Sequence, residues 1–482
     1  MNDQPHEIQG SVDFPPPAAV SSDNRDERGG AGKRRVLLLS ETFPLNPETH
    51  VSGVFRRLRF HVEAMQEYGT VDIAFFWPRG RPLSADPNEG EEAFRAAWGF
   101  EERIWFIPTG SARGFHPLER VSDLLWAWRG AVSFGDKATQ RTSRSPQVGA
   151  LADILSTEAY DFVFAHRLGP AATLIRLKGR SPRFVVDFDD LEHMKFSRGP
   201  PARSTALGWV AKKWTSILAI RAERFIAGRA SCSFVCSEVD RRRLQVLSPR
   251  AVVAVIPNCV DPDVALSSGD EPVAVFVGNA SYRPNRNGIL WFVAHVWPAV
   301  RLAMPQARLV IIGEATIDLG VGDPSQGISA LGVQNSLVEA YSKAALAVAP
   351  IHVGSGTRTK IIEAAMHAVP VVSTTIGAEG LSFQDGSEIV IADDPATFAN
   401  GCLRLLADVK IRREIGSAAR ARALREYTPK RARERLLSIC ADVAADRESA
   451  PRVRRRSHAA DSTCSTPEAG SEAGPCPPCS PR

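Results

Sequence analysis

Along most of the chain, short runs of apolar and β-branched residues alternate with segments whose apolar positions recur every three or four residues. The first half holds RRVLLLS, VDIAFFW, YDFVFAH, RFVVDFDD, SCSFVCS and VVAVIPN; the second restarts with PVAVFVGN and continues through ARLVIIG, LAVAPI, PVVSTT and EIVIAD. Helical patterns separate most of them, one from about Val54 to Tyr68 and another over IIEAAMH, where Ile361, Ile362, Ala365 and Met366 share a face. Unbroken apolar strands alternating with helices predict parallel sheets covered on both faces. Two such series predict an α/β protein of two doubly wound, Rossmann-like domains.

The pattern lapses over DPDVALSSGDEP, which places the boundary between a first domain (34–265) and a second (266–428), followed by a terminal helix (429–448). Residues 1–33 and 449–482 are polar and rich in Pro, Gly and Ser, and are expected to be disordered tails. The stretch from Arg79 to Ser145 contains RGRPLSADPNEGEE and GDKATQRTSRSP and reads as loop.

Composition narrows the function classes. With 482 residues, 44% of them hydrophobic, the chain can fill two cores. A net charge of +5, from 59 basic and 54 acidic residues, is too mild to point to nucleic acid, and no aromatic-basic module accompanies it. Eight scattered cysteines exclude a disulfide framework; Cys232 and Cys236 read as buried thiols, and the CPPC of the tail lacks a second ligand pair for zinc. A reducing, cytoplasmic setting fits. No apolar run approaches the ~20 residues that span a bilayer, and the polar N-terminus does not resemble a signal peptide. Basic residues cluster in RSTALGWVAKKWTSILAIRAERFIAGR, beside Trp209, Trp214, Ile217 and Phe225, and in the last helices. That pattern suits either a helix lying on an anionic membrane surface or one packed on the domain with its charges solvated.

The stretch carrying most chemistry is GSGTRTKIIEAAMHAVPVV, from Gly354 to Val372. It follows the LAVAPI strand and opens a helix, at the carboxyl edge where ligands of open parallel sheets bind. Gly354 and Gly356 allow close backbone approach. The free N–H groups of the helix start favour an anion, and Arg358 and Lys360 add positive charge. Together they suit a diphosphate, with Glu363 as an acceptor for a ribose diol. A plain strand–helix turn with solvated cations fits the loop alone equally well.

Four stretches together resemble the family-four retaining glycosyltransferases of GT-B fold: SGVFRRLRF, VCSEVDRRRL with VIPNCVD, FVGNASYRPNRNGILWF, and VGSGTRTKIIEAAMHAVPVVSTTIGAEGL. The nearest likeness is to bacterial members of exopolysaccharide and exosortase-linked gene sets. The resemblance implies a nucleotide-diphosphate sugar as co-substrate, held by the second domain without metal or other cofactor, and a glycan or lipid-linked acceptor met by the first. It places Ser355 where many members carry the first of two glutamates, and Glu363 at the second. It implies that Gly356, Thr357, Arg358, Thr359 and Lys360 meet sugar and phosphates, that Arg283 or Arg286 grips the diphosphate, and that Gly53 faces the donor across the cleft. His166, at a strand end, would lie near the donor sugar, and Arg358 and Lys360 would stabilise the leaving group. Arg57 turns to the cleft or is a solvated helix residue. Asp187, Asp189 and Asp190 cluster at another strand end, with Asp189 on the acceptor side or ordering the loop. A nucleotide-sugar 2-epimerase of the same fold and a non-catalytic sugar-nucleotide-binding module are the rival readings.

Overall fold

The structure, a computed structural model, describes residues 34–43, 53–78, 87–109, 145–177, 182–198, 206–262, 269–334 and 336–449. Residues 1–33 and 450–482 of the predicted tails lie outside these residues, and Ser449 ends the final helix. Seven parallel strands form the first sheet: β1 Arg35–Ser40, β2 Thr70–Pro78, β3 Ile104–Thr109, β4 Phe162–His166, β5 Phe184–Asp187, β6 Cys232–Val235 and β7 Val253–Val255, in spatial order β3-β2-β1-β4-β5-β6-β7. Six more form the second: β8 Val273–Val277, β9 Arg308–Ile312, β10 Ile328–Gly332, β11 Leu346–Ala349, β12 Val371–Ser373 and β13 Val390–Ile391, in order β10-β9-β8-β11-β12-β13.

The side-chain period of two explains the layering. In β1, Leu37 and Leu39 enter a core with Val163, Ala165 and Val186 on one face. Val36 and Leu38 enter a second core with Phe162, Phe164 and Phe234 on the other. The second sheet is built the same way. Phe276, Ile311 and Val348 face Phe292 and Phe398, while Val275, Ala347 and Val371 face Ile361 and Ala364. Sheets buried on both faces need helices on both, which the alternation of elements supplies.

The stretch from Arg79 to Ser145 is not all loop. It contains the Pro87–Trp98 helix and β3, which pairs in parallel with β2 from Ile73↔Ile104 onward. β3 extends the sheet through IWFIPT, an apolar run that the surrounding polar segments outweighed. The weakly apolar ISALG of β10 was likewise not anticipated; as an edge strand it needs one buried face, and it alternates buried Ile328 and Gly332 with exposed Ser329 and Leu331.

The Pro429–Ser449 helix follows the second domain but packs on the first. Ala432, Leu436, Cys440 and Val443 share one helix face and enter the core of Val36 and Leu38. Where the chain crosses for the second time, the Tyr427 carbonyl accepts a 3.0 Å hydrogen bond from Val260 N–H, so the two interdomain connections lie side by side. Leu436 is fully buried. Leu436→Ala is therefore expected to cost about 2–5 kcal/mol, read as a lowered melting temperature. A melting curve unchanged from wild type would show that this helix does not complete the first core.

Candidate active site

Each sheet reverses its strand order once, between β1 and β4 and between β8 and β11. Ligand crevices form at such reversals, beyond the carboxyl ends of the strands. Here the two crevices meet, and the residues leaving those strands and their neighbours touch across the domain boundary.

On the first domain the organising group is Asp187, fully buried at the end of β5. Arg57 grips it bidentately, Nη2 to Oδ1 at 2.6 Å and Nε to Oδ2 at 2.7 Å, and His61 Nε2 lies 2.7 Å from Oδ2. Burial alone would raise the Asp187 pKa, but Arg57 and His61 outweigh it and hold the carboxyl well below its usual range. Burial lowers His61, so the ring is neutral and donates its Nε2–H. Arg57 is 3% exposed, so its reading as a solvated helix residue is corrected. Its Nη1 also donates to the Ile256 carbonyl at 2.9 Å and Asn258 Oδ1 at 3.1 Å.

Two strand ends beside this pair carry strained backbone. Arg167, after β4, has φ 77°, and Asp189, after β5, has φ 56°; both side chains are longer than the left-handed region favours. Asp189 lies 3.6 Å from Arg57 Nε and 3.9 Å from Arg167 Nε, which ties the loop down. Burial, reinforced by the neighbouring Asp190 charge, pushes Asp189 up to about 6. Among the described residues no group of three or more His, Cys, Asp or Glu is arranged to hold a metal. His166, where β1 and β4 diverge, is fully buried; its Nδ1 lies 3.1 Å from Ser40 Oγ, and its Nε2 has no partner among the described residues. Burial pushes its pKa well below the ordinary value, so it is neutral.

On the second domain, Gly354 (φ 133°) and Gly356 (φ 75°) shape the turn after β11. Arg358 precedes the Thr359–Met366 helix and folds back, its Nη1 donating to the carbonyls of Ser355 and Gly356. It braces the turn and leaves its charge inside it. Lys360 is partly exposed as a residue, yet its ammonium is enclosed: Nζ donates to Asn285 Oδ1 at 2.8 Å and lies 4.3 Å from the Phe276 ring centroid. Burial, with the Arg358 charge second, lowers its pKa to about 7. Arg283 and Arg286 are exposed, and neither side chain bonds a described residue. They flank Asn285, which accepts from Lys360, and follow Tyr282, whose Oη a side chain at Gly354 would meet at 3.7 Å.

The domains interlock here. Glu363, buried on the Thr359–Met366 helix, pairs with Arg56 of the first domain. Asn258 Nδ2 donates to Thr357 Oγ1 at 2.9 Å. Gly53 opens the Gly53–Tyr68 helix so close to Thr359 that an added Cβ would lie 3.4 Å from its side chain. Glu379 is clasped from the first domain by Arg198 (Nη2 to Oε1, 2.8 Å) and Arg243 (Nη2 to Oε1, 2.6 Å), and Arg198 also donates to the Gly354 carbonyl at 3.1 Å. Burial opposes ionisation of Glu379, but the two guanidinium groups prevail and lower it to about 2. So Gly53, Thr357, Thr359, Lys360 and Glu363 converge, together with Arg56, Asn258, Asn285 and the Glu379 clasp, which the sequence did not single out.

Two doubly wound parallel-sheet domains meeting at their carboxyl edges constitute the GT-B fold. The family model described as glycosyl transferases group 1 matches residues 271–408, the second domain. An uncharacterized 44.6 kDa protein in the cps region of Klebsiella pneumoniae is 28% identical over 151 residues, 29% of this chain and 39% of that protein. The match thus spans well under half of that relative's length. Sucrose-phosphate synthase from Thermosynechococcus elongatus superposes with a TM-score of 0.62 at 16% identity, over 86% of this chain and 100% of that one. HepE from Anabaena, solved with UDP and glucose, gives 0.57 at 13%, over 85% and 100%. TarM gives 0.60 at 11%, over 85% and 99%. At these identities the likeness is one of fold.

The clasp generates an expectation. Because the folded pKa of Glu379 is depressed, its contribution is complete above the ordinary carboxylate range and is lost as pH falls toward about 2. At neutral pH, Glu379→Ala removes the carboxylate that joins Arg198 and Arg243 to the second domain and is expected to loosen the domains, raising the radius of gyration in X-ray solution scattering. An unchanged scattering profile would remove the clasp from the account of domain closure.

Proposed function

We propose that this chain is a glycosyltransferase that moves a sugar from a nucleoside-diphosphate sugar to a hydroxyl of a glycan or lipid-linked acceptor. The observation that carries the reading is the turn from Gly354 to Lys360: two positive-φ glycines, a helix start and two cationic side chains, at a strand-order reversal facing the other domain. Free N–H groups and the positive end of the helix favour a diphosphate. Glu363 then meets the ribose diol in place of Arg56. The HepE structures hold UDP with glucose, and UDP-glucose, which supports a nucleotide sugar as ligand here.

In the proposed reaction the bond from the anomeric carbon to the β-phosphate oxygen breaks, and negative charge grows on the departing diphosphate. Lys360, Arg358 and the helix start are fixed before the reaction and aimed at that charge, the arrangement that lowers a barrier without reorganisation. We assign these groups the stabilising role, so the mechanism we propose is metal-independent. The acceptor oxygen bonds the anomeric carbon from the face the diphosphate leaves and gives its proton to the leaving phosphate oxygen, with retention of configuration. Neutral, buried His166 is assigned to the sugar side through its unpartnered Nε2. The cps-region description of the Klebsiella protein supports a place in exopolysaccharide or cell-surface glycan synthesis, which we assign to the cytoplasmic side.

No helix among the described residues is long and apolar enough to cross a membrane. The Ala206–Ala227 helix buries Leu218, Ala222 and Ile226 but exposes Trp209 and Val210 beside Lys212, whose Nζ lies 5.0 Å from the Trp209 ring centroid. This end suits an anionic membrane surface carrying a lipid-linked acceptor. Co-sedimentation with vesicles should rise with phosphatidylglycerol content and fall in Trp209→Ser; binding that ignores both removes the membrane from the proposal.

The reading itself is tested by thermal shift against a panel of nucleotide sugars, at least one of which should stabilise the chain, followed by sugar transfer assays. Lys360→Ala should lower turnover by more than about tenfold. The ammonium form binds the diphosphate, and the free chain loses it as pH rises through about 7. Affinity for UDP should therefore be complete below about pH 6 and weaken by up to about tenfold per unit above 7 until the bound-state pKa is reached. Lys360→Arg should flatten that dependence. Wild-type turnover in Lys360→Ala would sink the diphosphate clamp.

A further inference from the structure

The diphosphate reading uses the turn after β11 but leaves one contact unexplained. Asp190, three residues past the end of β5, places its carboxylate against Gly356, so closely that a Cβ there would collide with Oδ1. Gly356 is thus required twice, by its φ of 75° and by a carboxylate from the opposite domain. Lys195 Nζ, 3.3 Å from Asp190 Oδ2 and 3.2 Å from Glu192 Oε1, holds this carboxylate in place. In the same turn Ser355, 3% exposed, carries an Oγ with no hydrogen-bond partner among the described residues. A buried hydroxyl without a partner costs stability unless something else satisfies it.

A carboxylate aimed across a cleft and an unsatisfied hydroxyl one residue from its contact point are the polar complement of a polyol. We propose that Asp190 and Ser355 together form the subsite for the transferred sugar, with Asp190 its specificity-determining residue. This rests on the glycosyltransferase reading and extends it. With the diphosphate at the start of the Thr359–Met366 helix, the sugar extends into the gap between the Gly356 turn and the β5 edge. Asp190 now fills that gap, and the sugar displaces it by slight opening of the cleft. The carboxylate accepts hydrogen bonds from two adjacent hydroxyls, and Ser355 Oγ supplies a third polar contact. Such charge-assisted bonds are among the stronger ones proteins make. The charge also selects the substrate class: a neutral hexose is accepted, and a hexuronic acid, bringing a second carboxylate to Asp190, is rejected.

The test uses the full chain and the neutral nucleotide sugar that stabilises it best among UDP-glucose, UDP-galactose, UDP-N-acetylglucosamine and GDP-mannose, each beside its parent nucleoside diphosphate. In Asp190→Asn, which keeps the side-chain volume at Gly356, and in Asp190→Ala, Kd for the nucleotide sugar should rise at least about tenfold while Kd for the diphosphate alone moves less than about twofold. Ser355→Ala should raise the former by about threefold. UDP-glucuronic acid, rejected by wild type, should gain affinity in both Asp190 variants. Unliganded melting temperatures identify any variant that fails to fold, and the isosteric asparagine keeps the test available if the alanine does. Equal losses for sugar-bearing and sugar-free ligands, or no loss for either, would overturn the subsite. If no nucleoside diphosphate or nucleotide sugar binds wild type, the glycosyltransferase reading falls and the subsite with it. If the diphosphate binds and the added affinity from the sugar survives in Asp190→Asn, only the subsite falls.

Discussion

The bidentate pair between Arg57 and Asp187 is the interaction from which the rest of the cleft is hung. It joins the helix after β1 to the end of β5, with both side chains essentially inaccessible to solvent. Arg57 continues to Asn258, and Asn258 donates to Thr357 in the turn of the second domain. A continuous buried polar chain therefore runs from the first sheet, across the domain boundary, into the turn after β11. Its energetics are asymmetric. An intact buried pair contributes little net stability, because desolvation offsets attraction, whereas losing one partner strands a charge at a cost of about 3–5 kcal/mol. The pair is better understood as fixing geometry than as adding stability. It sets where Asn258 stands, and Asn258 sets Thr357.

Around that chain positive charge is gathered in one place. The Gly53–Tyr68 and Thr359–Met366 helices present their first residues to each other across the boundary, so two positive helix ends converge. Arg56, Arg358 and Lys360 add side-chain charge to the same place. Like charges brought together without counter-charge are unfavourable, and the molecule relieves this in three ways. Arg56 pairs with Glu363, Arg358 is bound by the carbonyls of its own turn, and the Lys360 ammonium has its affinity for a proton lowered. Each arrangement lies within the reach of solvent or of a neighbouring polar group rather than in an apolar core.

Much of this was legible in the sequence and some was not, for physical reasons. Unbroken apolar strands have only one use, so the two parallel sheets followed from them, and the GSGTRTK turn showed its place between a strand and a helix through its glycines and the apolar spacing that follows. β3 was missed because IWFIPT stands between polar stretches, and β10 because an edge strand of small residues carries little signal. Arg57 shows the deeper difficulty. In the run RRLR nothing local distinguishes Arg56, which meets Glu363, from Arg57, which is buried on Asp187, or from Arg59, which is half-exposed and pairs with Glu63. Their fates are decided by partners 130 and 307 residues away. Asn285 was overlooked in the opposite sense: the charges of Arg283 and Arg286 drew the eye, while the neutral residue between them holds Lys360. Asn258 and Glu379 carry no local pattern, since each acts only once the other domain is in place.

The way the chain crosses between domains explains how such contacts are both specific and breakable. The two crossings, near Val260 and Tyr427, are joined by a backbone hydrogen bond, and the final helix is buried in the first domain's core. One edge of the boundary is thereby held by backbone and apolar packing, which no ligand competes for. Across the cleft the domains meet through Arg56–Glu363, Asn258–Thr357, Asp190 against Gly356, and the Glu379 clasp. Except for Asn258–Thr357, each of these involves a formal charge, and the ion pairs among them are partly reached by water, where such pairs contribute little. A boundary held firmly at one edge and by weak, exchangeable ionic contacts at the other is a hinge. The Arg57–Asp187 pair lies wholly within the first domain, so it does not depend on the contacts across the cleft. The bonds that close the cleft are thus separable from the buried pair that fixes its first-domain wall.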